Sequence, residues 1–165
     1  MIELGMIFIV MGVSGSGKTT FAKLLAQRTA LDFIDADEVH PKENVLKMSA
    51  GIPLTDEDRY PWLKELSMIL GGGEEAGLVL ACSALKDSYR KILTSKVRGP
   101  FELIYLKGSY PTIYKQIRYR ENHFFSSDLL LSQFETLEEP TVATVVDLDA
   151  GVYFSEEIEK IIKDL

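Results

Sequence analysis

Met6-Ile7-Phe8-Ile9-Val10-Met11-Gly12-Val13-Ser14-Gly15-Ser16-Gly17-Lys18-Thr19 is the stretch that decides the fold. Its first six residues are apolar without a break, as in a central strand of a parallel sheet covered on both faces. Gly12 to Thr19 then matches G-x-x-x-x-G-K-[ST]. Glycines there allow successive backbone N–H groups to turn inward on phosphate oxygens, an approach that side chains would block. A helix opening near Lys18 adds its positive dipole end. Lys18 is expected to reach the β- and γ-phosphates of a nucleotide, and the Thr19 hydroxyl to ligate Mg²⁺. Gly12, Val13, Ser14, Gly15, Ser16, Gly17, Lys18 and Thr19 are therefore the candidate nucleotide-binding residues. The motif alone does not separate a kinase from a hydrolysing switch.

Outward from this loop, strand-like runs alternate with helix-like ones. Asp32–Asp35, Leu78–Cys82, Phe101–Leu106 and Thr144–Leu148 read as further strands. Pro41 and Pro111 read as first-turn prolines opening helices. Gly51 is expected to close the first of these helices and Thr55 to cap the next, which Pro61 threatens to split. Gly71-Gly72-Gly73 reads as a helix stop. The last helix carries Ile158, Ile161, Ile162 and Leu165 at i, i+3, i+4 and i+7, with Ser155 as its expected cap and Phe154 as its staple. The pattern predicts an α/β fold: a mostly parallel five-stranded sheet with helices on both faces. Ligands of such sheets bind outside the carboxyl ends of the strands, where every motif here falls.

Composition narrows the functional classes. The chain has 165 residues, 18 Lys plus Arg against 25 Asp plus Glu, and a formal charge of −7. One domain is expected at that length, and folding should bury roughly 70% of its surface without disulfide or metal staples. A net-acidic chain is a poor match for nucleic acid or an anionic membrane. No apolar stretch approaches the roughly 20 residues of a membrane span. Nor does the N-terminal run, with no basic residue before it, read as a signal peptide. The single Cys82 cannot form an internal disulfide and suits a reducing, cytoplasmic setting; it reads as a buried strand thiol.

Leu78–Cys82 ends in Ser83, so no apolar strand ends in the Asp that completes the metal site of P-loop hydrolases. Carboxylates instead follow the second strand, as Asp35-Ala36-Asp37. A period of 2 would place both on one side of an extended segment, facing the phosphate loop. One can then hold Mg²⁺ while the other orients or deprotonates an attacking hydroxyl.

Several longer strings resemble the gluconokinase family. They include Asp35-Ala36-Asp37, His40-Pro41, Lys47-Met48, Asp58-Arg59, Pro61-Trp62-Leu63, Cys82-Ser83-Ala84-Leu85-Lys86, Tyr89-Arg90, Tyr105-Leu106-Lys107-Gly108, His123-Phe124-Phe125 and Ser132-Gln133-Phe134-Glu135-Thr136-Leu137-Glu138. With the phosphate loop, the resemblance covers roughly Ile9 to Pro140. It implies the shikimate-kinase-like P-loop fold with a lid segment near 121–127. It also implies transfer of the ATP γ-phosphoryl group to the 6-hydroxyl of D-gluconate, and a homodimer. Arg120, before the lid, fits the family pattern for a cation that neutralises the transferring phosphoryl group after closure. Gln116 departs from that pattern, standing where related kinases carry an Arg that stacks on adenine.

Gluconate is a carboxylate bearing a row of hydroxyls. Arg59 is the best candidate clamp for the carboxylate, because a planar fork matches two oxygens, and it resembles the acid-binding Arg of shikimate kinases. The alternative for Arg59 is an ion pair with Asp56 or Asp58. Asp37, His40, Lys47 and Ser83 are the other candidate substrate contacts, with Lys18, Asp37 and Arg120 as the catalytic set and Thr19 with Asp35 as the Mg²⁺ set. Lys86 and Arg90 read as anion contacts or surface decoration, Trp62 as packing, and Glu135, Glu138 and Glu139 as a solvated run. Two competing functions stay open: a kinase of the same fold for another small hydroxy acid, and a nucleotide-dependent sensor without phosphotransfer.

Overall fold

The computed structural model describes residues 5–118 and 127–165. Five strands, β1 (Ile7–Met11), β2 (Asp32–Asp35), β3 (Leu78–Ala81), β4 (Phe101–Lys107) and β5 (Thr144–Asp147), form one sheet in the order β2-β3-β1-β4-β5. Every pairing is parallel, with Ile7 opposite both Leu78 and Phe101. The helices are α1 (Lys18–Thr29), α2 (Lys42–Ser49), α3 (Asp56–Gly72), α4 (Asp87–Leu93), α5 (Tyr110–Arg118), α6 (Ser127–Thr136) and α7 (Phe154–Lys163). None of them is long and apolar enough to cross a membrane.

The central position of β1 explains its unbroken apolarity: all five of its residues are buried. Phe8 and Val10 point into a core shared with Phe21 and Leu25 of α1, Ile113 of α5, Leu130 of α6 and Ile158 of α7. Ile7, Ile9 and Met11 point the other way, into a core closed by Trp62, Leu63 and Leu66 of α3 and Tyr89 of α4. Alternation along one strand thus supplies both layers of helices with apolar surface.

Three local expectations are corrected. Pro61 does not split α3, which runs unbroken from Asp56 to Gly72. A capping box holds the helix before the proline: Thr55 Oγ1 accepts from the Asp58 N–H at 3.2 Å, and Asp58 Oδ2 accepts from the Thr55 N–H at 2.9 Å. Buried Trp62, Leu63 and Leu66 hold it after. In α7 the cap position falls to Tyr153 with no side-chain hydrogen bond, and Phe154 and Ser155 lie inside the helix. Phe154 meets Phe21 edge-on at 5.1 Å, which fixes the helix start by packing instead of capping. Pro41 takes the cap position of α2, one residue before the helix.

Candidate active site

At the carboxyl end of β1 the chain turns through Gly12–Gly17 into α1. At two of its glycines no larger residue fits. Gly12 has φ +154°, and a Cβ there would lie 2.9 Å from the Leu106 carbonyl oxygen. Gly15 has φ +86°, and its Cβ would lie 2.4 Å from Ile117 Cγ1. Inside the loop, Lys18 Nζ donates to the Val13 carbonyl at 3.1 Å. The Ser16 hydroxyl is fully buried and finds no partner among the described residues. A glycine cradle at a helix N-terminus, with an orphaned polar atom inside it, suits the phosphates of a nucleotide.

The two acidic residues do not share an extended segment: Asp35 ends β2, and Asp37 lies in the turn beyond it. Asp35 Oδ1 accepts from the Asp37 N–H at 2.9 Å, and the chain bends into a 3₁₀ turn over Ala36–Val39. This local bond replaces the period-2 geometry and gives the carboxylates different surroundings. Thr19 Oγ1 approaches Asp35 Oδ2 at 3.5 Å, while Asp37 lines a neighbouring cavity. Thr19 and Asp35 together offer two oxygens of the kind that hold Mg²⁺, which commonly takes few protein ligands and completes its shell with water and substrate phosphates. The residues therefore fit the ion.

That cavity has a volume of about 340 Å³ and brings together Ser14, Lys18, Asp37, His40, Arg59, Ser83 and Gln133. Arg59 pairs with no carboxylate among the described residues. Its Nη1 donates to the Leu54 carbonyl at 2.7 Å and to the Tyr89 hydroxyl at 3.0 Å, spending both hydrogens of that nitrogen on the framework. The Nε–Nη2 edge keeps its donors for a ligand. Tyr89 is itself held, donating a very short hydrogen bond to Asp56, which also pairs with Lys86 at 3.3 Å. These bonds hold the Asp56 carboxyl below the usual range, the Tyr89 contact contributing most.

His40 is buried against Trp62, the rings stacked at 3.9 Å and 14°. The Asn44 amide nitrogen donates to the Asp58 carbonyl at 2.8 Å and approaches His40 Nδ1 at 3.1 Å. An amide nitrogen only donates, so Nδ1 accepts and the ring proton sits on Nε2, 4.0 Å from Asp37 Oδ1. Burial, reinforced by the charge of Arg59, lowers the His40 pKa to about 4. Lys47 is placed differently: it ion-pairs with Asp58 Oδ2 at 2.8 Å and is not among the cavity walls. With the capping bonds, that pair lowers the Asp58 pKa to about 2. Arg120 and most of the expected lid lie outside the described residues.

Residues outside the sequence-based candidate set also shape the site. Gln133 binds Ser14 of the phosphate loop from α6. Arg90 clamps the loop after β3, donating to Ala84 O at 2.7 Å and Glu138 O at 2.9 Å. Glu138 is exposed, as expected, and its carboxylate also accepts from the Asp87 N–H at 2.8 Å. Glu139 likewise accepts from Tyr105 and pairs with Lys107. Ala84, held at φ 44°, carries backbone strain beside Ser83. Trp62 serves both roles: it is core, with Nε1 donating to Ala36 O at 2.7 Å, and it lines the cavity. Cys82 is buried, its thiol pushed up to about 12 by desolvation.

Comparison with known proteins gives this arrangement a family. The shikimate kinase family model matches residues 14–139. The thermoresistant gluconokinase of Escherichia coli K12 is 41% identical over 149 residues, spanning 87% of this chain and 85% of that protein. The gluconokinase of Gluconobacter oxydans is 46% identical over 137 residues, spanning 80% and 75%. A crystal structure of a gluconokinase from Sinorhizobium meliloti superposes with a TM-score of 0.84 at 39% identity, covering 93% of this chain and 87% of that one. The all-parallel sheet, the phosphate loop and the cavity beside it thus lie in a chain that belongs to the shikimate kinase family and, within it, to the gluconokinases.

Proposed function

We propose that this chain transfers the γ-phosphoryl group of ATP to the 6-hydroxyl of D-gluconate, giving 6-phosphogluconate, with Mg²⁺ at the phosphates. The observation that carries the reading is one cavity shared by a phosphate-loop cation, a carboxylate and a guanidinium with an unspent edge: Lys18, Asp37 and Arg59. Gluconate has its carboxylate at one end and its sole primary hydroxyl at the other. Arg59 binds the carboxylate through Nε and Nη2, so the substrate enters in one direction. His40 offers Nε2–H, and Ser83 a hydroxyl, to the secondary hydroxyls between. Asp37 accepts the hydrogen bond of the 6-hydroxyl and takes its proton as the oxygen attacks phosphorus in line.

The phosphate-loop amides and Lys18 bind and neutralise the oxygens of the transferring group. Thr19 and Asp35 are the residues that hold Mg²⁺, which supplies further charge neutralisation at the phosphates when bound. Arg120 joins from the lid in this account, on the strength of the family pattern. Lys47 acts indirectly, holding Asp58 and through it the start of α3, the helix that presents Arg59. The enzyme works in the cytoplasm as a homodimer in this reading, the second point being open to sedimentation analysis.

Position of transfer is tested on the product by phosphorus–proton correlation NMR. Coupling of the phosphorus to the methylene protons of C6 is expected. Coupling to a methine proton would place the phosphate on another carbon and overturn the orientation assigned through Arg59.

A further inference from the structure

Gln133 lies 119 residues from the phosphate loop in sequence, yet its carboxamide grips Ser14 with both of its ends. Oε1 accepts from the Ser14 N–H at 2.7 Å, and Nε2 donates to Ser14 Oγ at 3.1 Å. The same side chain lines the cavity beside Lys18, Asp37 and Ser83. It therefore stands where the nucleotide loop meets the acceptor pocket.

The helix that carries it is well anchored. Leu130 of α6 is fully buried in the core. Just past the helix, Glu138 N–H donates to Leu85 O at 2.8 Å, and Arg90 ties Glu138 O to Ala84 O. One short segment thus fixes both the phosphate loop, through Gln133, and the loop after β3 that carries Ser83. The residue type follows from chemistry. A leucine of similar size would leave the part-buried Ser14 N–H without an acceptor. A glutamate would keep the acceptor but place a negative charge beside a loop made for phosphate.

We infer that Gln133 is a positioning residue for phosphoryl transfer, holding Ser14 of the phosphate loop in register with the acceptor wall. The inference rests on the kinase reading above, because register between donor and acceptor matters only if a group passes between them. Misplacement of reacting groups by an ångström can cost about a hundredfold in rate, so a modest loosening should be visible in kcat.

The test uses the full chain and the variants Gln133→Ala and Gln133→Glu. Both should lower kcat by about tenfold or more while leaving the acceptor KM within about threefold, the pattern of an interaction realised in the transition state. Gln133→Glu keeps side-chain length and the acceptor for Ser14, so its melting temperature should stay near that of the native chain. Calorimetry with a non-hydrolysable ATP analogue should show Gln133→Glu binding more weakly than Gln133→Ala, by about tenfold for one like charge beside the phosphates. A Ser14→Ala background removes only the Oγ contact and keeps the N–H bond to Oε1, so it should shrink the effect of Gln133→Ala only in part. Near-native kcat in either variant would overturn the inference, as would a rate loss that merely follows loss of folded protein, or equal analogue binding by both variants. The native chain is the control for the underlying reading: absence of turnover there would refute the kinase assignment, whereas an active native enzyme with an active Gln133→Ala variant would refute only the role of Gln133.

Discussion

Acid should destabilise this protein through His40 before it does so through the carboxylates. The imidazole is 3% exposed, stacked on Trp62, and accepts at Nδ1 from Asn44. Protonation would put a donor where Asn44 already donates and would add a charge beside Arg59. The pKa therefore falls from 6.5 in an unstructured chain to about 4. As pH drops below 6.5 the unfolded chain takes up the proton and the folded one does not, so stability is lost across that window until the folded group itself titrates near 4. At about 1.4 kcal/mol per pH unit, the whole interval is worth about 3 kcal/mol, of which about 2 kcal/mol is spent between pH 7 and roughly pH 4.5. Asp58, with its pKa lowered to about 2, contributes its own loss only at lower pH, below the usual carboxylate value of 3.8. The assay is urea denaturation of the native chain and of His40→Gln at several pH values in that window. Background titrations cancel in the difference, and the native chain should lose about 2 kcal/mol more than the variant. Parallel pH dependences would refute the argument that His40 is held neutral by its surroundings.

Three other perturbations follow from the site. Asp37→Asn should lower kcat by about a hundredfold or more with little change in gluconate KM, as expected of a group acting on the attacking hydroxyl; an effect confined to KM would remove Asp37 from the chemical step. Arg59→Lys should raise gluconate KM by about tenfold with a smaller change in kcat, since an ammonium cannot present the paired Nε–Nη2 edge, and unchanged KM would move the carboxylate elsewhere. Gly15→Ala combines φ +86° with a Cβ 2.4 Å from Ile117. It should cost about 1–3 kcal/mol in thermal unfolding and weaken binding of an ATP analogue; a variant that melts and binds like the native chain would contradict the packing described at that glycine.

Much of the architecture is readable from local chemistry. The five strands fall within a residue or so of where the sequence places them, most plainly β1 and β3, because a strand buried on both faces has no room for polar residues. The phosphate loop is legible for a similar reason, since its geometry demands glycine at fixed steps. Local rules fail where a side chain redirects the backbone or where packing replaces capping. Asp35 bends the following residues into a 3₁₀ turn, so its spacing from Asp37 misleads. At α7, Ser155 looks like a cap, yet the Phe154–Phe21 contact starts the helix earlier. Long-range partnerships are the least legible. Arg59 is aimed by Tyr89, 30 positions away, and Gln133 reaches Ser14 across 119. No spacing rule connects such residues; only the register of the sheet and the packing of its helices bring them together.

Gluconate phosphorylation is decided by ADP release with Mg-ATP, measured in parallel with D-gluconate, shikimate, other sugar acids and no acceptor. That reaction requires ADP with gluconate, matched mole for mole by 6-phosphogluconate, and little without an acceptor. ATP binding with no turnover on any acid would contradict it, and turnover on a different acid alone would contradict the specificity assigned to Arg59 and His40.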